Sequence, residues 1–170
     1  MNQLLHLADK NSQVNAGPFY EDFSVGQVLK HSRGRTITDT DNIWFTLLTC
    51  NTNQIHFNKD YAERNFSNPP FNGRLVVNSL LVLSIVIGLT VSDISQSGIM
   101  VGITNLKIIN PTFSGDTLYA ESEILEKRAS KSHPNMGIIT LKTKGYKQDG
   151  VQVMEFERTV MLRKKGKSWV

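Results

Sequence analysis

The sequence predicts an α+β fold in which a long antiparallel sheet wraps round one apolar helix. The helix prediction rests on the run from Val76 to Ser92, which is apolar nearly all round and therefore has to be covered on most sides. The sheet prediction rests on four segments that read as strands: residues 99–113, 117–128, 137–147 and 151–163. Their short connections imply antiparallel neighbours, and because helices and strands do not alternate, a doubly wound sheet is excluded.

Two of the strand segments alternate between apolar and polar side chains, as a sheet with one buried face requires. The apolar positions of equal parity are Leu118, Ala120 and Ile124 in one segment and Met154, Phe156, Val160 and Leu162 in the other. Turn residues separate the strands at 114–116, 134–137 and 148–150, and Asp149-Gly150 is a strong hairpin signal.

The first half of the chain contains one strand near residues 27–37 and two helices. Thr38 and Asp41 resemble a capping box, which predicts that a helix begins there and ends near Cys50. The recurrence of apolar residues predicts one buried face, formed by Ile43, Trp44, Leu47 and Leu48. Residues 51–56 follow as a polar loop, and residues 58–66 form a short helix that cannot pass Pro69-Pro70.

Length and composition favour a single domain. The 170 residues divide into an N-terminal arm (1–18), one domain (19–163) and a frayed basic tail (164–170). The single cysteine excludes an internal disulfide and a cysteine-rich zinc site, and His and Cys spacing predicts no metal site. With no secretory signal and no apolar run suited to a membrane span, we expect a cytoplasmic protein.

The formal net charge is +4 and the pI is about 9.2, which suits an anionic ligand. A nucleic-acid-binding module is one interpretation, but the charges are not interleaved with aromatic residues except near Trp169, so we expect no nucleic-acid partner. Neither the G-x-G-x-x-G nor the P-loop motif occurs.

Several local motifs resemble the MaoC-type enoyl-CoA hydratases, a hot-dog-fold family. The similar stretches are residues 19–27, Gly34 to Thr38, Asn51 to His56, Ser114 to Leu118 and Lys127 to Gly137. The resemblance covers residues 19–163 and is strongest to members that act on mesaconyl-CoA or related branched C4 dicarboxylic thioesters. It implies a hot-dog fold, a CoA thioester as substrate, no cofactor, and a homodimer or higher homo-oligomer. Edge pairing between two copies would also protect the open edge of the sheet.

The chain departs from the family pattern at two places. Asn51 stands where the family has a catalytic Asp, five residues before the histidine, and Gln54 stands at a usual proline, although Asn53 is kept. Asn78-Ser79 replaces His-Gly at the start of the central helix. A non-catalytic acyl-CoA-binding protein is therefore the alternative to an enzyme.

The resemblance assigns three residues to catalysis. His56 would transfer protons, because imidazole titrates near neutral pH. Asn51 would position water, since an amide cannot accept a proton at neutral pH. The N–H of Ser79 would stabilise the negative thioester oxygen from the helix start. Should another carboxylate act instead, it would be Asp39, Asp41 or Glu63, each of which is also explained as a helix-surface charge.

Substrate contacts are expected from Asn53 and Asn78, and CoA phosphates would meet basic residues. The candidates are Lys127, Arg128 and Lys131, which could equally be solvated charges at a strand end. The other histidines, His6, His31 and His133, are interpreted as surface residues. A thioesterase is disfavoured because the central helix carries no acid before Asp93.

Overall fold

The structure is a computed structural model that describes residues 17–169. Its helices are α1 (Asp39–Leu48), α2 (Lys59–Asn65) and α3 (Ser79–Thr90). Its strands are β1 (Val28–Lys30), β2 (Arg35–Thr36), β3 (Gly98–Ile108), β4 (Thr117–Ala129), β5 (Met136–Lys147) and β6 (Gln152–Arg163). The predicted N-terminal arm lies almost entirely outside the described residues.

One antiparallel sheet, with the strand order β1-β4-β5-β6-β3, carries the fold. β2 also pairs with β4. The single strand expected near residues 27–37 is therefore two short strands, which pair with successive parts of β4. Tight hairpins join β4 to β5 and β5 to β6, as the turn residues predicted. The helix α3 packs against β4, which confirms the hot-dog architecture.

The core lies between α3 and the concave face of the sheet. The apolar positions of equal parity in β4 and β6 are all buried, as predicted. Gly145 of β5 lets α3 approach closely, because a Cβ placed there would lie 2.8 Å from a methyl carbon of Val86. Val86 is 0% exposed, and burying such a side chain stabilises the fold by about 1.5–3 kcal/mol.

One stripe of α3 remains exposed, contrary to the expectation that the helix is covered on most sides. Leu80, Ser84, Gly88 and Val91 are all exposed, and Leu80 retains 56% of its surface. The neighbouring strand β3 is also exposed along nearly its whole length and forms one end of the sheet. No helix in the described part of the chain is long and apolar enough to cross a membrane.

The apolar face predicted for α1 points outward, so this prediction is wrong. Trp44, Leu47 and Leu48 are 66%, 55% and 76% exposed, whereas the buried residues of the helix are Asn42 and Thr46. The predicted capping box is confirmed: Thr38 Oγ1 accepts from the Asp41 N–H, and Asp41 accepts from the Thr38 N–H at 2.8 Å. The inward face is polar because it meets backbone groups that need hydrogen-bond partners.

His31 is not a surface residue, which corrects a second prediction. Its ring is buried; Nδ1 lies 2.6 Å from Asp93 Oδ2 and Nε2 lies 3.0 Å from Ser122 Oγ. The hydrogen bond from His31 is the main reason that the pKa of Asp93 lies below its ordinary value. Ser122 Oγ is in turn 2.9 Å from Thr143 Oγ1, so the ring belongs to a buried structural network. His133 is exposed, as predicted, and His6 lies outside the described residues.

The basic tail does not fray over residues 164–169. The Lys165 N–H donates to Glu21 at 3.0 Å, and its ammonium lies 2.5 Å from Asp22. The Lys164 N–H donates to the Asn135 carbonyl at 2.9 Å. These contacts tie the chain end to the first turn of the domain and to the β4–β5 hairpin.

A buried arginine lies at the far end of α3. Arg158 of β6 is 1% exposed, and its guanidinium donates to the hydroxyl of Thr90, the last residue of the helix. Burial lowers the pKa of Arg158 to about 10. No carboxylate pairs with it, and its Nε has no hydrogen-bond partner, among the described residues.

Candidate active site

The loop after α1 is shaped by its asparagines. Cys50 has a φ of 55°, which turns the chain sharply, and the Asn51 N–H donates back to the Thr46 carbonyl at 3.0 Å. Asn51 Oδ1 accepts from the Asn53 N–H at 2.9 Å, and Asn53 Oδ1 accepts from the Ile55 N–H at 3.4 Å. Short polar side chains commonly stabilise turns in this way. A one-turn 3-10 helix, Gln54–His56, follows and presents the histidine.

The tautomer of the neutral His56 ring follows from its hydrogen bond. Its Nδ1 lies 2.8 Å from the backbone carbonyl oxygen of Val76, and the residue is half-buried. A carbonyl oxygen can only accept, so Nδ1 must carry the proton. The neutral ring then keeps its lone pair on Nε2, which is the nitrogen that can act as a base.

The N-terminus of α3 offers a backbone donor. Asn78 caps the helix, because its Oδ1 accepts from the Leu80 N–H at 3.0 Å. Ser79 is the first residue of the helix, and its N–H has no acceptor anywhere in residues 17–169. The first N–H groups of a helix carry partial positive charge, so this group can bind an anionic oxygen.

The histidine loop and the start of α3 are joined directly. The Val76 N–H donates to the Ile55 carbonyl at 3.1 Å. The side chain of Asn42, which was not singled out from the sequence, donates to the His56 carbonyl at 2.8 Å and to the Val76 carbonyl at 3.1 Å. It also accepts from the Asn78 N–H at 2.9 Å. The base and the anion-binding donor are therefore held on one rigid connection.

Two cavities adjoin this region. A small one, of about 20 Å³, has Ser79 in its wall together with Val82, Asn110 and Thr112, and has room for about one water molecule. A larger and more open one, of about 310 Å³, lies next to the segment that leads into α3. It is lined by Asp39, Lys59, Glu63, Asn72, Gly73, Arg74, Leu75, Phe113 and Ser114.

The family model for mesaconyl-CoA hydratase matches residues 2–168 of this sequence. The chain belongs to the mesaconyl-CoA hydratase family. A mesaconyl-CoA hydratase of Cereibacter sphaeroides is 29% identical over 155 residues, which cover 90% of this chain but 43% of the relative. The chain therefore spans about half the length of the curated relatives it matches.

Solved structures agree with this placement. A putative MaoC-domain dehydratase from Chloroflexus aurantiacus is 32% identical, with a TM-score of 0.79, and the match covers 89% of this chain and 42% of that one. A Mycobacterium tuberculosis protein with a double hot-dog fold is 21% identical, with a TM-score of 0.78 over 91% of this chain and 47% of that one. The second likeness shows the fold alone.

In this member of the mesaconyl-CoA hydratase family, five of the predicted site residues lie at one end of the molecule. They are Asn51, Asn53, His56, Asn78 and Ser79, which come together through the contacts around Val76. Asn51 does not hydrogen bond to His56 among the described residues; its oxygen closes the turn and its Nδ2 stays available.

The structure does not bring the predicted phosphate-binding residues to this end. The chain just before β4 lies beside the start of α3, where the Val77 N–H donates to the Thr112 carbonyl at 2.8 Å. Lys127 lies ten residues further along β4 than Thr117, which at about 3.3 Å per residue is roughly 33 Å away. Its ammonium donates to the Phe23 carbonyl at 2.6 Å. Arg128 and Lys131 lie at this same far end.

Two of the three carboxylates named as alternative bases, Asp41 and Glu63, are explained by other contacts, and the third, Asp39, lines the larger cavity. Burial raises the pKa of Asp41, but hydrogen bonds from Thr38 and the charge of Arg35 outweigh it, so the pKa lies below its ordinary value. Arg35 Nη2 lies 2.8 Å from this carboxylate. Glu63 lies 3.8 Å from Lys59 on the surface of α2. Among the described residues, no group of three or more His, Cys, Asp or Glu side chains could hold a metal ion.

Proposed function

We propose that this protein adds water to, or removes it from, the double bond of a short enoyl-CoA thioester. Mesaconyl-CoA and related branched C4 dicarboxylic thioesters are the first candidate substrates. The observation that carries the proposal is the hydrogen bond from His56 Nδ1 to Val76, three residues before Ser79, because it leaves Nε2 as the basic nitrogen of the neutral ring and ties that ring to the segment that leads into α3. Family membership supports the same reaction class.

The proposed hydration proceeds in two proton transfers. His56 Nε2 removes a proton from a water molecule, and the hydroxide oxygen bonds to the β carbon of the substrate. Electrons move from the double bond onto the thioester oxygen, where the Ser79 N–H stabilises the negative charge. The protonated ring then returns its proton to the α carbon, so that the product differs from the substrate by one water. Asn51 Nδ2 is proposed to hold the attacking water molecule by a hydrogen bond.

The CoA phosphates need cations on the same end as His56. Lys59 and Arg74 line the larger cavity, and the Arg74 guanidinium lies 3.7 Å from the centre of the Phe113 ring. We therefore propose these two residues for the phosphate contacts in place of the three predicted from the sequence. Both are exposed, so binding through them should weaken as ionic strength rises.

A panel of enoyl-CoA and hydroxyacyl-CoA substrates, including mesaconyl-CoA, tests the function. The loss of the conjugated enoyl-thioester absorbance is followed for the wild type, for His56→Ala and for the matched control His133→Ala. Removing a proton-transfer residue should slow turnover by about 10²- to 10⁴-fold. The exposed His133, 2.9 Å from Ser132 Oγ, should tolerate the same change.

Three results would count against the proposal. A rate of His56→Ala within a few-fold of the wild type would contradict the mechanism. Equal losses in both variants would point to general destabilisation. Tight binding of the CoA thioesters with no turnover would instead favour a non-catalytic acyl-CoA-binding protein, the function that the Asn51 position suggests.

A homodimer is part of the proposal, because β3 and α3 both expose apolar surface and both line the small cavity, through Ile108 of β3 and through Ser79 and Val82 of α3. The free edge of β3 exposes Val101 at 53%, and the neighbouring stripe of α3 exposes Leu80, Ser84 and Gly88. Long apolar edge strands are commonly covered by pairing with another strand. A second copy related by a two-fold axis would cover both features and extend the sheet.

Light scattering coupled to gel filtration tests the dimer. Val101→Lys should shift the protein towards monomer. The matched control is Val28→Lys, because Val28 is 52% exposed on β1 at the opposite end of the sheet. A monomeric wild type at micromolar concentration, or the same shift in both variants, would contradict pairing through β3.

A further inference from the structure

We infer that Asn42 is a positioning residue that fixes the catalytic geometry of His56 against the start of α3. This inference rests on the proposed function for its kinetic consequence, but its structural content can be tested without turnover. Asn42 is 0% exposed and lies on the inward face of α1. It touches no reacting atom in the proposed mechanism, so it acts through its neighbours.

The side-chain amide of Asn42 acts both as a hydrogen-bond donor and as an acceptor. The two N–H bonds of Nδ2 go to the carbonyls of His56 and Val76, at 2.8 and 3.1 Å. The oxygen Oδ1 accepts from the N–H of Asn78 at 2.9 Å. Since two of the partners can only accept and the third can only donate, the orientation of the amide is fixed by its surroundings.

These three bonds join the two halves of the site. One holds the backbone of the residue that carries the base, and one holds the residue that caps α3. The third holds the Val76 carbonyl, which also accepts a hydrogen bond from Nδ1 of His56 at 2.8 Å. Asn42 therefore sets the position of the carbonyl that determines which nitrogen of the ring is protonated.

An aspartate or a leucine could fill the same space but could not make the same bonds. Leucine would leave both carbonyls and the Asn78 N–H without this partner. Aspartate would still accept from Asn78, but its second oxygen would face two carbonyl oxygens. Glutamine would need room for another methylene in a site that is fully buried.

Displacement of the Val76 carbonyl should weaken its hydrogen bond to Nδ1 of His56. The expected result in Asn42→Leu is a mixture of the two neutral tautomers of His56, in which only one leaves Nε2 free as a base. Because small misplacements of catalytic groups can cost about 100-fold in rate, kcat should fall by about 10- to 100-fold, with KM nearly unchanged.

The decisive measurement is the tautomer of His56 by ¹⁵N NMR of the full chain labelled on histidine, with His56→Gln used for assignment. The wild type should show one neutral tautomer, protonated on Nδ1. Asn42→Leu and Asn42→Asp should show a mixture. The matched control is Thr143→Val. It removes the 2.9 Å hydrogen bond between the Thr143 and Ser122 hydroxyls, and Thr143, like Asn42, is 0% exposed. It should keep the wild-type tautomer and kcat.

Each outcome decides the inference. A wild-type ring protonated on Nε2 overturns it without any variant. A single, unchanged tautomer in the Asn42 variants also overturns it, even if kcat falls. If Asn42→Leu does not fold, Asn42→Asp gives the comparison, since it keeps the shape and one bond. If the wild type shows no turnover, the proposed function fails, and the tautomer comparison alone supports or refutes the role of Asn42.

Discussion

Replacing Ser79 with proline removes one backbone N–H from the proposed site and leaves the rest of the helix start in place. Ser79 is the first residue of α3, where proline is well tolerated because its N–H has no intrahelical partner. The preceding residue, Asn78, has φ −56° and ψ 123°, which suits a residue before proline. The capping bond from the Leu80 N–H to Asn78 Oδ1, at 3.0 Å, does not involve the lost group.

The two effects of Ser79→Pro should therefore separate. The free energy of unfolding should change by less than about 1 kcal/mol, because no hydrogen bond of the described structure is removed and the fixed φ suits the first helical turn. Loss of one oxyanion donor should lower kcat by about 10²- to 10³-fold, which corresponds to about 3–4 kcal/mol in the transition state. Ser79→Ala keeps the N–H, so its kcat should stay within about threefold of the wild type.

The assay is the hydration rate of the substrate that the wild type turns over best, with urea unfolding at the same protein concentration. The reasoning is refuted if Ser79→Pro folds normally and keeps its rate. It is also refuted if the alanine variant loses as much activity as the proline variant, because the hydroxyl and not the amide would then matter. A parallel loss of stability and rate would show that the helix start had been disturbed.

Four further changes probe the site and its support. Asn51→Asp keeps the turn oxygen and adds a group that can accept a proton, so kcat in the hydration assay should rise by about 10- to 100-fold; an unchanged rate would contradict the proposed place of this side chain beside the water. Gly145→Ala should lower the free energy of unfolding in urea by about 1–3 kcal/mol through overpacking. In a Val86→Ala background the cost of Gly145→Ala should fall by at least about 1 kcal/mol. An equal cost in both backgrounds would contradict the close contact between the two residues. Two lysines, at 3.0 and 3.2 Å, lower the pKa of Glu155 to about 2, so its contribution to stability is present above the ordinary value of 4.5 and is lost as pH falls through about 2. The difference in melting temperature between the wild type and Glu155→Gln should accordingly shrink over that interval, and a constant difference would contradict the ion pairs. Arg158→Met should leave the free energy of unfolding in urea unchanged or raise it, because it removes a buried cation without a carboxylate partner; a loss above about 3 kcal/mol would contradict this reasoning.

The sheet and the central helix were predictable because their signals are local. Alternation at Leu118, Ala120 and Ile124 reflects one buried face, and the capping box at Thr38 and Asp41 is formed by residues three apart. Such patterns need no knowledge of distant partners. The same holds for the hairpin turns, whose residues determine the local backbone.

The burial of His31 was missed because its partners are distant in the sequence. His31 is buried because Asp93, 62 residues away, and Ser122, 91 residues away, supply hydrogen bonds to its ring. Lys127 likewise has a distant partner, since it donates to a carbonyl 104 residues away. Burial of a polar side chain depends on these tertiary partners, so neither composition nor spacing predicts it.

The inverted face of α1 has the same origin, and it links the fold to the site. An apolar residue in place of Asn42 would leave two carbonyls and one N–H unpaired, and each buried unpaired group costs about 1–3 kcal/mol. Hydrophobic burial of one side chain contributes about 1.5–3 kcal/mol, so it could not offset three such losses. An apolar residue at position 42 would therefore be destabilising, so Asn42 lies on the inward face of α1, while Trp44, Leu47 and Leu48 lie on its outer surface. The hydrogen bonds of Asn42 to the loop that presents His56 thus favour the observed orientation of α1.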